Sequence, residues 1–229
     1  MTNVPDYCAD EVAEHTLALM LAHARGLLRF ADAVRSGDWS IGRGLPLRRV
    51  AGRTLGIVGF GRMGSALAAK AGGLGLELLV HDRSAGPQAL AAAGAVGVGL
   101  DELVRRSDYV SIHLPLTDQT RGLVGRELLA AMKPDAFVVN CARGAIVDQD
   151  ALLEALRAGR LGGAGLDVFE PERLPDGHPL LTDSRVVATP HVAFYSEESI
   201  LELQTRAAEN VAAVLDGRRP ASIVNPEVL

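Results

Sequence analysis

Cysteine is scarce: Cys8 and Cys141 are the only two in 229 residues, and they stand far apart in no paired spacing. That excludes a disulfide framework and a thiolate metal site, and it fits a reducing compartment, so a cytoplasmic location is expected. No pair of histidines has ligand spacing either, and no metal is expected. Long apolar runs are missing too. The stretch from Thr16 to Leu28 is broken by His23 and Arg25, with no basic segment and cleavage site before it. Neither a membrane partner nor a processed leader is therefore expected. Cationic clusters are also absent, since 23 Lys and Arg face 28 Asp and Glu for a net charge of -5. Nothing is dense enough to follow a phosphate backbone, which argues against nucleic acid as a direct partner. No repeat or low-complexity segment interrupts the chain.

What is present is apolar material in a regular order. With 48% apolar residues the chain can bury one substantial core. From Glu11 to about Val34, Ala13, Leu17, Met20, Leu21, Ala24, Leu27, Leu28 and Ala31 recur at three- and four-residue steps, which predicts one long helix. Leu19 and Ala22 fall off that stripe, so a helix with two packing surfaces is expected. After a Gly- and Arg-rich connection through Gly44, aliphatic runs at Thr54–Gly59, Leu76–His81, Tyr109–Ile112, Ala136–Asn140, Gly163–Val168 and Val186–Ala188 predict strands. Between them, helical patterns fall at Arg62–Ala71, Gln88–Ala93, Asp101–Arg106, Arg126–Ala131 and Asp148–Ala158. A last helix, Glu197–Leu215, carries Ile200, Leu203, Ala207, Val211, Val214 and Leu215 on one stripe. Strand and helix in alternation predict an α/β fold with a doubly wound parallel sheet.

The segment Thr54-Leu-Gly-Ile-Val-Gly-Phe-Gly-Arg-Met-Gly64 sets Gly59, Gly61 and Gly64 between a strand and an Ala-rich helix, with Arg62 and Met63 inside the turn. In such a turn the first glycine permits the bend, the second lets the backbone approach a pyrophosphate, and the third lets helix and strand touch. The motif alone is weak evidence, but a second strand ends at His81-Asp82, eighteen residues past the last glycine. An acid there can accept from adenosine ribose hydroxyls and repels a 2′-phosphate, which favours NAD over NADP, although Arg83 next to it keeps NADP open.

Three further segments follow strands: Val138–Asp148 with Arg143, Gly165–Glu172 with Glu172, and Thr189-Pro-His-Val192 with His191. Ligands of an open α/β sheet bind outside the carboxyl ends of its strands, so the three side chains are expected on one rim. Reducing a 2-oxo acid requires a cation to hold the carboxylate and polarise the carbonyl, and an acid to protonate the developing alkoxide. Arginine supplies a planar fork of donors, and histidine a proton near neutral pH, oriented by a carboxylate. Singly, Arg143 could cap a strand end, Glu172 be a solvated acid and His191 a turn residue. Together, behind a dinucleotide turn, they point to catalysis. His15, His23, His81, His113 and His178 are expected to lack such partners.

These motifs, with Val-Ser-Ile-His-Leu-Pro-Leu at Val110–Leu116, Met132–Pro134 and Asn140–Asp148, resemble the D-isomer-specific 2-hydroxyacid dehydrogenases from about Val4 to the C-terminus. Val4-Pro-Asp-Tyr-Cys-Ala-Asp-Glu-Val12 further resembles the branch related to C-terminal-binding proteins, corepressors on the same scaffold. The resemblance implies Arg143 as substrate-binding arginine, Glu172 as the partner of the histidine, and His191 as proton donor. It also implies that Asp167 contacts the nicotinamide amide and that His113, Leu114, Pro115, Leu116, Cys141 and Ala142 line the cofactor cleft. Formate dehydrogenases of the superfamily carry glutamine where Glu172 stands, so a hydroxy acid is the expected substrate.

By the same resemblance the chain divides into 1–45, helical and from the side of the substrate domain and hinge; 46–192, dinucleotide-binding; and 193–229, a helix returning to the substrate-domain side. Family members open with a flavodoxin-like segment of about a hundred residues that walls the substrate cleft. Residues 1–229 start beyond it, which leads to the expectation of a fragment or a start codon set too far downstream, with helices 10–35 and 197–216 exposing apolar stripes or burying them in a dimer. The resulting expectation is NAD-dependent interconversion of a small 2-oxo acid, such as glyoxylate or hydroxypyruvate, and its D-2-hydroxy acid. Activity is expected to be impaired by the missing wall. A homodimer through the nucleotide domain is expected. The alternative is an NAD-binding, corepressor-like protein without turnover.

Overall fold

The computed structural model of the chain describes residues 1–44 and 46–225. Leu45 and residues 226–229, which end the first and third expected segments, lie outside the described residues. The chain opens with α1 (Ala9–Ala24) and α2 (Leu27–Arg35). It continues through β1 (Thr54–Val58), α3 (Arg62–Ala71), β2 (Glu77–His81), α4 (Pro87–Ala92), β3 (Ala95–Gly97), α5 (Leu100–Arg106) and β4 (Tyr109–Ile112). Then come α6 (Arg126–Ala131), β5 (Phe137–Asn140), α7 (Gln149–Arg157), β6 (Gly163–Leu166), α8 (Pro179–Thr182), β7 (Val186–Ala188) and α9 (Glu197–Leu215).

All the paired strands run parallel, in the order β3-β2-β1-β4-β5-β6-β7. Helices cover both faces, as the alternating pattern predicts, because a parallel sheet has no polar face to leave in water. The period of two is visible in the packing. Leu78, Val80, Phe137 and Val139 point to the face covered by α1 and α3, whereas Leu79, Val110 and Val138 point to the opposite face, with Leu103, Leu129, Leu152 and Leu156. The order reverses between β1 and β4, so the crevice that receives a ligand opens there, at the carboxyl ends of the strands.

Three sequence expectations change. The single helix over 11–34 is two, because the chain bends at Arg25 and Gly26, the latter at φ +60°. The buried face of α1 also differs from the expected stripe: Val12, Ala13, Thr16, Leu19, Met20 and Ala24 are buried, while Leu17 and Leu21 are only partly so. Leu19, expected off the stripe, packs over Gly165 and Phe137 because α1 lies across β5 and β6 beside α3. The short strand β3 and helix α8 are additional elements; β3 buries only Ala95 and α8 only Leu180, so neither carries an apolar run or stripe to mark it. In α9 the bounds agree, and Ala207, Val211, Val214 and Leu215 face solvent, as do Leu27, Leu28 and Val34 of α2, in line with the expected exposed stripes. Among the described residues, no helix is long and apolar enough to cross a membrane.

Candidate active site

The glycine turn after β1 is shaped by close backbone approach. Gly59 sits at φ +95°, and a Cβ there would lie 2.6 Å from the carbonyl oxygen of His113. A Cβ on Gly64, in the first turn of α3, would lie 2.1 Å from the carbonyl oxygen of Gly59 and 3.3 Å from Cγ2 of Ile57. The first and third glycines therefore let α3 close against turn and strand. At Gly61 a Cβ would meet nothing within 4 Å. Gly61 is also the N-cap of α3 and no side chain caps the helix, so its leading N–H groups remain available to an anion. A dinucleotide pyrophosphate fits this turn.

At the end of β2, Asp82 accepts from the N–H of Phe60 (2.7 Å), from Ser84 N (2.7 Å) and Oγ (2.9 Å), and from Ala85 N (2.9 Å). Partial burial works against its charge, but these donors outweigh it and hold the carboxyl at about 2. The acid is ionised at any working pH and tied to the glycine turn. Arg83 next to it is exposed and donates to Gln119 Oε1 at 2.9 Å.

Beyond β5 the chain turns through Asn140, which is 1% exposed. Its Oδ1 accepts from Ala142 N (3.0 Å) and its Nδ2 donates to the Arg143 carbonyl (2.9 Å), so one buried amide sets the turn that carries Arg143. Gly144 follows because a Cβ there would lie 2.1 Å from backbone atoms of Phe169, after β6. The Arg143 side chain is exposed, with Nη1 on the Ala142 carbonyl at 2.6 Å.

Asp167 is 0% exposed, and a carboxylate buried so deeply must be met by donors. Oδ1 accepts from Thr189 Oγ1 (2.6 Å) and Val192 N (2.9 Å), and Oδ2 from Ala193 N (2.9 Å). Its carbonyl accepts from His191 N at 2.7 Å. These bonds hold the loop after β7 in a shape that puts His191 at φ +55°, in the left-handed region uncommon for any residue but glycine. The His191 ring is fixed in turn, since Nδ1–H donates to Glu172 Oε1 and leaves Nε2 for other work.

A cleft of about 560 Å³ joins the two sides. Of the residues expected at the site, Met63, His113, Leu114, Pro115, Leu116, Cys141, Ala142, Arg143, Asp167 and His191 line it. Glu172 reaches it through His191, while Gly59, Gly61, Arg62, Gly64 and Asp82 form the adjoining turn rather than the cleft wall. Val4, Pro5, Tyr7, Cys8 and Val12 form a further wall. Burial pushes His113 down to about 4, so it is a neutral ring there, beside Ser111 Oγ at 2.7 Å. Burial likewise raises the Cys141 thiol to about 12, with the Asp167 charge adding to the effect; this sulfur is packing, not a nucleophile.

The sequence model of the "D-isomer specific 2-hydroxyacid dehydrogenase, NAD binding domain" family matches residues 17–193. The chain belongs to this family. A "Glyoxylate reductase" of Aeropyrum pernix is 42% identical over 100% of this chain and 70% of its own length. A "Glyoxylate/hydroxypyruvate reductase B" of Pectobacterium carotovorum is 41% identical over 100% of the chain and 72% of its own length. A solved D-lactate dehydrogenase of Aquifex aeolicus, complexed with NAD and lactic acid, superposes with a TM-score of 0.89 at 32% identity, covering 94% of this chain and 69% of that one. As a D-2-hydroxyacid dehydrogenase, the chain is an NAD-dependent oxidoreductase, and the parallel sheet with its glycine turn is that family's cofactor fold.

Sequence reasoning missed several polar groups in this dehydrogenase. Asn140 and Thr189 stood inside quoted motifs without a role. His15 was expected to lack a partner, yet its Nε2 lies 2.9 Å from Thr189 Oγ1 and 3.6 Å from Asp167 Oδ1. No local signal could reveal that contact, because it spans 174 positions of the chain.

Proposed function

We propose that the site reduces a small 2-oxo acid, such as glyoxylate or hydroxypyruvate, to its D-2-hydroxy acid with NADH. The observation that carries this reading is the His191–Glu172 hydrogen bond at a cleft that Arg143 also lines, next to a glycine turn shaped for a dinucleotide. Arg143 would hold the substrate carboxylate through its donor fork and draw charge toward the carbonyl oxygen. His191 Nε2 would pass a proton to that oxygen as negative charge develops, and Glu172 would orient the ring and support the cationic form through Nδ1–H. Bound NADH supplies the hydride that goes to the carbonyl carbon. Asp167 is among the residues that line the cleft next to His191, which supports a nicotinamide contact there. Asp82, ionised and beside the turn, supports NADH over NADPH.

The exposed apolar residues of α2 and α9 support flanking units at 1–45 and 193–229 around a nucleotide-binding unit at 46–192, and a homodimer. Two free, buried cysteines support a cytoplasmic setting. The test is NADH oxidation with glyoxylate and with hydroxypyruvate, by the wild-type chain and by His191→Ala. Turnover that falls about 10²- to 10⁴-fold in the variant is expected. NADH binding with no turnover of either acid by the wild type would overturn the reading.

A further inference from the structure

The loop that carries His191 is held from outside by one face of α1. Glu11 and His15 stand four residues apart, hence one above the other on that face. His15 Nε2–H donates to Thr189 Oγ1 at 2.9 Å, and that hydroxyl donates onward to Asp167 Oδ1 at 2.6 Å. One turn earlier, Glu11 Oε1 accepts from Ser196 Oγ at 2.7 Å, and the same oxygen of Ser196 accepts from Ser199 N at 2.8 Å to cap α9. The two contacts fall at the two ends of the segment Thr189–Ser196, with His191 between them.

The neighbouring acids of α1 are engaged elsewhere. Asp10 and Glu14 both pair with Lys70 of α3, each at 2.9 Å, on an exposed face. The helix thus separates its polar contacts: one set joins it to α3, and the other reaches the Thr189–Ser196 loop and Asp167, to which that loop is bonded.

We propose that Glu11 and His15 are positioning residues for the proton donor: from α1 they fix both ends of the Thr189–Ser196 loop and so hold His191 against Glu172. The inference rests on the function proposed above. His15 completes the bonding of Thr189, whose hydroxyl is otherwise free to leave Asp167; Asp167 in turn holds the amides of Val192 and Ala193. Loss of either anchor lets His191 depart from a left-handed backbone that it adopts only under constraint.

Two measurements on the full chain decide it. The first is backbone amide exchange, followed in wild type, His15→Ala, His15→Gln, Glu11→Ala and, as a control on the other face, Glu14→Gln. Exchange at His191, Val192 and Ala193 should rise about 10-fold or more in His15→Ala and Glu11→Ala, while β1 and β4 keep their protection. His15→Gln, which keeps an N–H near the Nε2 position, should restore most of it, and Glu14→Gln should change nothing at the loop. The second is steady-state kinetics, where kcat should fall about 10- to 100-fold in His15→Ala with the NADH Kd unchanged. Unaltered loop exchange in both alanine variants would overturn the proposal, as would an equal rise across the whole sheet, or a kcat within twofold of wild type. A wild type without turnover would sink the proposed function, and the exchange data would still decide whether α1 holds the loop.

Discussion

The two sides of the cleft are held by different means. On the β1–β2 side, shape is set by backbone against backbone: Gly59 under the His113 carbonyl and Gly64 against the Gly59 carbonyl, with no room for one further carbon at either. On the β6–β7 side, shape is set by side-chain hydrogen bonds that start at a fully buried carboxylate and end on the His191 ring. The first side leaves the leading N–H groups of α3 without a side-chain cap and open to an anion. The second holds the ring proposed above as the proton donor, and a hydrogen-bonded loop can tolerate a change of its charge. The difference teaches where damage should be abrupt and where it should be graded.

The sharpest way to break this comparison is at the glycines. Gly64→Val puts a branched side chain against the Gly59 carbonyl, and neither the turn nor the first turn of α3 can yield cheaply. NADH affinity should fall at least about 100-fold, with stability lower by about 1–3 kcal/mol, read by fluorescence titration and urea midpoints. Gly61→Val sharpens the point, because its side chain enters open space: NADH binding should weaken while the urea midpoint stays at the wild-type value. Glu172→Gln, on the other side, should leave NADH binding intact. Wild-type NADH affinity in Gly64→Val would show that the turn is not a backbone-built seat.

A smaller effect follows from histidines that are buried without a carboxylate. Burial lowers His113, in the cleft wall, to about 4, and it lowers His23, stacked on Phe137 with ring centroids 4.0 Å apart, to about 4 as well, with Arg29 adding to the shift. Both folded values lie below the unfolded value of 6.5. The unfolded chain therefore takes up protons first as pH falls. Their stabilisation is complete above about pH 6.5 and is lost progressively down to about pH 4, on the order of 3 kcal/mol for each ring. Urea midpoints between pH 7 and pH 4.5 should show that slope, and His23→Gln should flatten it. A slope unchanged in that variant would remove His23 from the account.

Backbone-built features were the legible ones. Gly59, Gly61, Gly64 and Asp82 form a local pattern with fixed spacing, and α3, α6, α9 and β4 have enough residues in phase for their bounds to be read directly. Arg143, Glu172 and His191 were legible as strand-end residues, since the alternation of strand and helix sends such positions to one rim. What escaped was long-range. Whether Leu19 or Leu17 is buried depends on how α1 lies over β5 and β6, and an apolar stripe cannot say that. The break at Gly26 was hidden by apolar residues that continue in step on both sides of it. His15 looked idle because its partner comes from the other end of the chain, and the internal bonds of Asp167 to Thr189, Val192 and Ala193 are likewise long-range.

The smallest expected effect tests the seam between the two designs. Asp82 is a side chain working within the backbone-built side: it bonds the turn through Phe60 N and faces the position where an adenosine ribose would lie. Asp82→Asn removes the charge and leaves one acceptor oxygen, which serves the donors of Ser84 and Ala85 at the cost of the bond from Phe60; the glycine turn, closed by backbone contact, should persist while repulsion of a 2′-phosphate disappears. The ratio of NADH to NADPH in kcat/KM should then shift toward NADPH by about 10-fold, close to 1.4 kcal/mol. Most of the shift should come from improved use of NADPH, assisted by the exposed Arg83 guanidinium. If NADH binding instead collapsed as in Gly64→Val, Asp82 would be part of the scaffold of the turn, its bond to Phe60 mattering more than its charge. An unchanged ratio with both cofactors bound normally would mean that cofactor choice is made elsewhere in the cleft.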